Sequence, residues 1–321
     1  MIKRIAATAG VLAVALAFSG WQPALAQGDG LTEEQLALLD RVFAARAQLE
    51  TFESYLEEST GDESQALSIT LEGQAFELLD STEWQRTQTV IHAPEGKNVD
   101  AQLSATVSSQ GEEAFRVTAE ARFVAGTLYV SAAYDEPSDA LAPLPEGWIA
   151  VEDADAIGEV YPALAALQLG SIASDEPSTL LEDQERLRTT ATDVTLEPIT
   201  LEDGTSADQI TVTLGRDALL TIILEDTDDP FQLGLFSALS EDSQATLRAV
   251  LDNGGRAVEV HTTIELSAQD IDAAALSPDD FPPGTLLSFS FVGVEEQRYR
   301  QIGEAFEPVS APEELAPTPA S

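Results

Sequence analysis

Apolar and polar residues alternate strictly over two neighbouring stretches of the chain. Val99, Ala101, Leu103, Ala105 and Val107 are separated by Asp100, Gln102, Ser104 and Thr106. Phe115, Val117, Ala119, Ala121 and Phe123 are separated by Arg116, Thr118, Glu120 and Arg122. Side chains of a strand point to opposite faces in turn, so both stretches predict antiparallel strands with one covered and one wet face. The same period predicts strands at Val194 and Leu196, at Ile210, Val212 and Leu214, at Val258 to Leu266, and at Leu287, Phe289 and Phe291. Gly126 turns the chain into a strand over 128–133, and 147–151 is a further short one. Glu202-Asp203-Gly204-Thr205 reads as the turn between two of these strands.

Helical spacing marks the beginning instead. Thr32-Glu33-Glu34-Gln35 has the form of a capping box, and Leu36, Leu39, Val42, Phe43, Leu49, Phe52 and Leu56 then follow on one helical face. The helix is predicted over 36–56, with polar 59–64 as a loop. Leu67, Ile69 and Leu71 start a strand, Gly73 breaks its register, and Phe76 and Leu78 resume on the other parity, as across a bulge. Asp155 caps a helical run through Tyr161, Leu164 and Leu167, with Pro162 near its start. Residues 177–181 open a second helix, capped by Ser178 or Thr179. Residues 219–224 fit buried strand or helix, and 243–251 read as a helix stopped by Asn253-Gly254-Gly255. No βαβ alternation occurs. The fold class expected is α+β, a large curved antiparallel sheet packed on an N-terminal helix and inserted helices.

The ends of the chain change the picture. Lys3 and Arg4 precede an apolar run over 5–18, and Ala24-Leu25-Ala26 leads into polar Gln27. This order predicts a signal peptide over 1–26, too short in its apolar run for a membrane span. The expected organisation is that leader, a single domain over 27–312, and a disordered Pro-, Ala- and Glu-rich tail over 313–321. The chain has no cysteine, which closes the routes to a lipid anchor and to disulfides. The product expected is a secreted, extracellular or periplasmic monomer.

Charge excludes more than it assigns. Asp and Glu number 57 against 15 Lys and Arg, a net charge of −42. A nucleic-acid binder working through phosphate neutralisation needs the opposite sign. The acidic surface favours solubility and disfavours docking on anionic lipid by charge. The two histidines, His92 and His261, and the absence of cysteine leave no zinc site and no Cys-His nucleophile. No Gly-x-Ser-x-Gly elbow and no glycine-rich phosphate loop occur. Asp226, Asp228 and Asp229, like Glu152, Asp153 and Asp155, lack the spacing of an EF-hand and read as solvated acidic turns. No catalytic residue, metal or cofactor is assigned.

Four places resemble the half-open-barrel carriers of the bacterial envelope, the LolA/LppX/LprG-like superfamily. They are the opening helix running into 67–71; Leu128-Tyr129-Val130 followed by Gly147-Trp148; Asp175-Glu176-Pro177 with Leu180-Leu181, then Glu202-Asp203-Gly204 entering 210–214; and Glu307-Pro308-Val309-Ser310-Ala311-Pro312. The resemblance implies helices over the concave side of a curved sheet and binding of a lipid or a lipidated partner. It departs from LppX- and LprG-type relatives in offering no anchoring cysteine.

The residues point the same way. Ala101, Ala105, Ala119 and Ala121 leave volume among larger neighbours on the covered faces. Either a closely packed helix over 36–56 fills it, or it is an apolar cavity lined by Leu103, Phe115, Val117, Phe123 and Leu128, with Trp148 as an aromatic contact. The function expected is non-enzymatic binding of an apolar ligand; the other reading is an envelope interaction module with a filled core.

Overall fold

The computed structural model describes residues 31–71, 73–93, 96–135, 143–151, 161–173, 184–225, 230–277 and 281–316. The expected signal peptide, the caps at Asp155 and at Ser178 or Thr179, and both acidic triplets lie outside these residues.

A single 11-stranded sheet runs in the order β6-β5-β4-β3-β2-β1-β11-β10-β9-β8-β7. Its strands are β1 (Ser54–Leu71), β2 (Gln74–Ala93), β3 (Gly96–Ser109), β4 (Glu112–Val124), β5 (Thr127–Tyr134), β6 (Ile149–Val151), β7 (Asp193–Thr200), β8 (Ser206–Gly215), β9 (Gln244–Asp252), β10 (Ala257–Asp272) and β11 (Leu286–Arg300). Every neighbouring pair is antiparallel. Two meanders, β1–β6 and β7–β11, are joined where the first strand pairs with the last. The sheet is therefore a half-open barrel of the α+β class, with edges at β6 and β7. Both edges are blunted against further pairing: β6 is three residues long, and β7 carries Pro198, which has no ladder donor.

The hairpins follow from backbone sterics. Ser109 pairs with Glu112 and Val124 with Thr127, so the connecting loops are two residues long. Gln110 and Gly111 have φ of 56° and 78°, Ala125 and Gly126 of 50° and 81°. Two successive positive φ values give the turn whose twist matches the strands, and glycine makes the second of them easy. Gly73 is also a hairpin turn: Leu71 pairs with Gln74, so Leu67 faces Leu78 and Ile69 faces Phe76. The parity change expected as a bulge is thus a reversal of direction.

Helix α1 (Glu33–Leu49) has the predicted capping box. The Gln35 amide donates to Thr32 Oγ1 at 3.3 Å, and the Thr32 amide donates to Gln35 Oε1 at 3.0 Å. It ends seven residues before the predicted 56, because Tyr55 and Leu56 already pair with Val90 and Thr89 of β2. Phe52 and Leu56 are four apart, a spacing that does not by itself separate a helical face from a strand entry. The buried side of α1, Leu39, Val42, Phe43, Ala45 and Leu49, packs on β7–β10 and on α4 (Gln184–Thr190). The helix expected to fill the curve over the alanines of β3 and β4 therefore covers the other half of the sheet.

Two inserted helices follow, α2 (Pro162–Ala165), with Pro162 at its first turn, and α3 (Gly170–Ala173), which packs against β5. α5 (Arg216–Glu225) packs on β8 and β9 and settles the ambiguous 219–224 run as helical. α6 (Pro230–Ser237) packs on β10 and on α7 (Ala273–Leu276). The segment predicted as a helix over 243–251 is strand β9, held between β8 and β10. Ala245, Leu247, Ala249 and Leu251 share its covered face, and Val250, buried on the opposite side, hides the alternation. The core is one cluster that joins both halves of the sheet to the helices.

Candidate functional site

Register places the predicted lining residues of β3–β5 on one face. Leu103 is opposite Ala119, Ala105 opposite Val117, and Phe123 lies between Val99 and Leu128. Leu103, Val117, Phe123 and Leu128 are buried, as are Ala101, Ala105, Ala119 and Ala121. Phe115 is half-buried at the margin, edge-on to Tyr134 with ring centroids 6.1 Å apart. Trp148 stands apart. Its ring lies under the Arg122 guanidinium at 4.9 Å, and Arg122 points to the face opposite Ala121 and Phe123.

The inner face changes character on the central strands. The same pairing that aligns Leu103 with Arg86 aligns Arg86 with Ser59 and Ser59 with Gln297. Glu57, Ser59, Arg86, Gln88 and Gln297 are all buried. Arg86 Nη2 lies 3.2 Å from Glu57 Oε1 and 3.3 Å from Ser59 Oγ, and Ser59 Oγ donates to Glu57 at 2.8 Å. Tyr299 donates to Gln297 Oε1 at 2.8 Å, Gln297 donates to Glu295 at 2.8 Å, and Arg46 from α1 donates to Tyr299 at 2.8 Å. An ionic and hydrogen-bonded patch thus lies beside the alanine face, inside the molecule.

Its electrostatics follow from burial. Desolvation drives the Glu57 carboxyl up, but Arg86 and Arg46, with hydrogen bonds from Ser59 and Gln88, outweigh it and hold the group below the usual carboxylate range. Burial pushes Tyr55 up to about 12, with Glu57 adding to the effect. Burial also raises Glu295, against the pull of Arg86. Glu63 is pushed up to about 7 by burial and by Glu295, although Gln168 donates to its Oε1 at 3.2 Å.

Close approach makes room for the indole here. Trp84 is register partner of Gly61, and a Cβ on Gly61 would sit 2.2 Å from the ring, so the ring lies flat across β1 only because that residue is glycine. Sequence reading missed this patch by taking 59–64 as a loop. The available signal was polarity at both parities in two adjacent stretches, 57–65 and 81–89, which is what paired strands with a polar inner face produce.

An open polar groove of about 630 Å³ lies across the outward side of β11 and β1–β4, lined by Thr60, Asp62, Glu83, Gln85, Thr106 and Arg116 among others. Arg116 spans it toward Thr106 at 3.1 Å and Glu113 at 3.1 Å. It contains none of the predicted lining residues. Among the described residues no group of His, Asp and Glu is arranged to hold a metal ion, and no helix is long and apolar enough to cross a membrane.

The chain is similar in fold to LprF from Mycobacterium bovis, with 12% identity and a TM-score of 0.36 over 90% of this chain and 100% of that one. It is likewise similar to the Mycobacterium tuberculosis lipoprotein LppX, with 10% identity and a TM-score of 0.35 over 86% and 99% of the two chains. No protein-family model and no curated protein sequence matches the chain.

Proposed function

We propose that the protein is an exported, non-enzymatic binding protein that holds an apolar ligand, an acyl chain or a lipidated partner, between the inner sheet face and its covering helices. The observation that carries this reading is the buried face of β3–β5. Four alanines sit there among Leu103, Val117, Phe123 and Leu128, a continuous apolar surface with little side-chain volume of its own. Sites for small ligands are mostly apolar with a few polar groups converging on them, and the Glu57–Arg86 patch adjoins this surface.

Organic extraction and mass spectrometry of the purified protein release bound lipid under this reading. Val117→Trp places an indole on the alanine face and lowers loading without loss of stability. A protein that yields no lipid, takes up none when offered, and is destabilised by Val117→Trp by about 1–3 kcal/mol has a filled core, and the binding function is then wrong.

A further inference from the structure

We propose that the centre of the inner face receives the polar end of the ligand, and that this end is uncharged and carries several hydroxyl groups. The inference rests on the binding function above and adds the chemistry of the head.

Three polar atoms there have no hydrogen-bond partner among the described residues: Nε1 of Trp84, Oε1 of Gln88 and Nε of Arg46. Trp84 is 5% exposed and Gln88 7%, so solvent does not serve them. Buried polar groups are almost always paired, and an unpaired one is expensive to maintain. Other atoms of Gln88 and Arg46 are engaged. Gln88 hydrogen-bonds Glu57, and Arg46 donates through Nη1 to Tyr299. Two donors and one acceptor remain.

Their chemistry restricts what can complete them. The indole and the Arg46 N–H need acceptors, while Gln88 Oε1 needs a donor. A hydroxyl is both. An ether or ester offers no donor, and neither does a carboxylate. A charged head also meets a patch whose charges already face one another: Arg86 is paired with Glu57, Arg46 lies beside it, and Glu295 is near Arg86. A carboxylate would be brought against Glu57 and Glu295, an ammonium against Arg46 and Arg86, each desolvated without a new partner. Trp84 and Gln88 are four residues apart on β2, roughly 13 Å along the strand. One hydroxyl cannot reach both, so the head needs hydroxyls at more than one position.

Position links the head to the tail. Trp84, Arg86 and Gln88 pair with Ala105, Leu103 and Ala101 of β3. Trp84 and Gln88 thus stem from the strand next to the alanine face, while the indole extends on over Gly61 of β1 and Arg46 enters beside Tyr299. A chain lying on that face brings its polar end across β2 to them.

The test uses the full chain after lipid removal and three probes with the same acyl length: monopalmitoylglycerol, its dimethyl ether and palmitate. Monopalmitoylglycerol is expected to bind about tenfold more tightly than either of the others, the worth of one buried polar group left unpaired. Trp84→Phe keeps a ring over Gly61 and removes only the donor; Gln88→Leu removes the acceptor. Gln88→Leu is expected to shrink the preference over the dimethyl ether to about threefold or less, with affinity for the ether unchanged. Trp84→Phe, whose donor an ether oxygen also serves, is expected to weaken both glycerol probes alike by about threefold or more. Thermal denaturation shows that each variant is folded. If one variant does not fold, the other decides. Equal binding of the three probes by the wild-type chain, or binding of the probes by the folded variants that is unchanged from the wild type because water alone serves these atoms, overturns the inference and leaves the binding function standing. Binding of none of the three overturns both.

Discussion

Glu57 and Arg86 keep only 6% and 4% of their side chains exposed, so their attraction has to offset the loss of two hydration shells. Removing one partner strands the other. Glu57→Leu is expected to lower stability by about 3–5 kcal/mol in urea unfolding, and Glu57→Leu with Arg86→Met to recover part of that loss. A double variant no more stable than the single one would show that the pair is not coupled as its geometry implies. Glu63 gives a pH-dependent case. Its folded value of about 7 lies above the ordinary 4.5, so the folded chain binds the proton more tightly than the unfolded one. Its contribution is fully present below pH 4.5 and is lost as pH rises through 7. Glu63→Gln should match the wild type near pH 4 and exceed it by about 3 kcal/mol at pH 8. A difference that does not change with pH would mean that Glu63 is ordinarily solvated. At this scale the apolar candidates Leu103, Val117, Phe123 and Leu128 were legible from alternation, whereas Glu57, Arg86 and Gln88 were not. A buried polar residue has the same sequence signature as a wet one, and only its partners across the strands tell them apart.

Among the elements, α1 shows how far local rules reach. Its start is written in Thr32 and Gln35, whose mutual hydrogen bonds satisfy donors the first turn leaves free. Thr32→Ala is expected to destabilise by about 1 kcal/mol, read as a lower melting temperature; no change would mean that the cap is redundant with packing on β7. Its end is decided elsewhere, by the pairing of Tyr55 and Leu56 with β2. Strand β9 carries the same lesson more strongly. Residues 244–252 have a composition that suits a helix, yet they lie between two strands that both offer ladder partners. Intrinsic preference is worth tenths of a kcal/mol per residue, and two continuous ladders outweigh it. Strands β3, β4 and β8 were legible because one of their faces is uniformly buried; β1 was legible only from Leu67 onward, because its inner face is polar in the middle.

Over the whole molecule, a net charge of −42 is spread on a half-open barrel, and like charges repel across it. Raising sodium chloride from about 0.01 M to about 1 M shortens the screening length from about 30 Å to about 3 Å and should raise the melting temperature. A flat or falling temperature would show that the acidic residues are arranged in compensating pairs. The sequence alone determined the fold class, the capped N-terminal helix and the strands with one apolar face. Each of these depends on local spacing or on composition, which a chain carries before it folds. Tertiary structure decided where α1 lies, that 59–64 is the middle of the central strand, and that Arg46, Glu57, Arg86 and Tyr299 meet inside the cup. Those residues come from α1, β1, β2 and β11, and only the pairing of the first strand with the last brings them together.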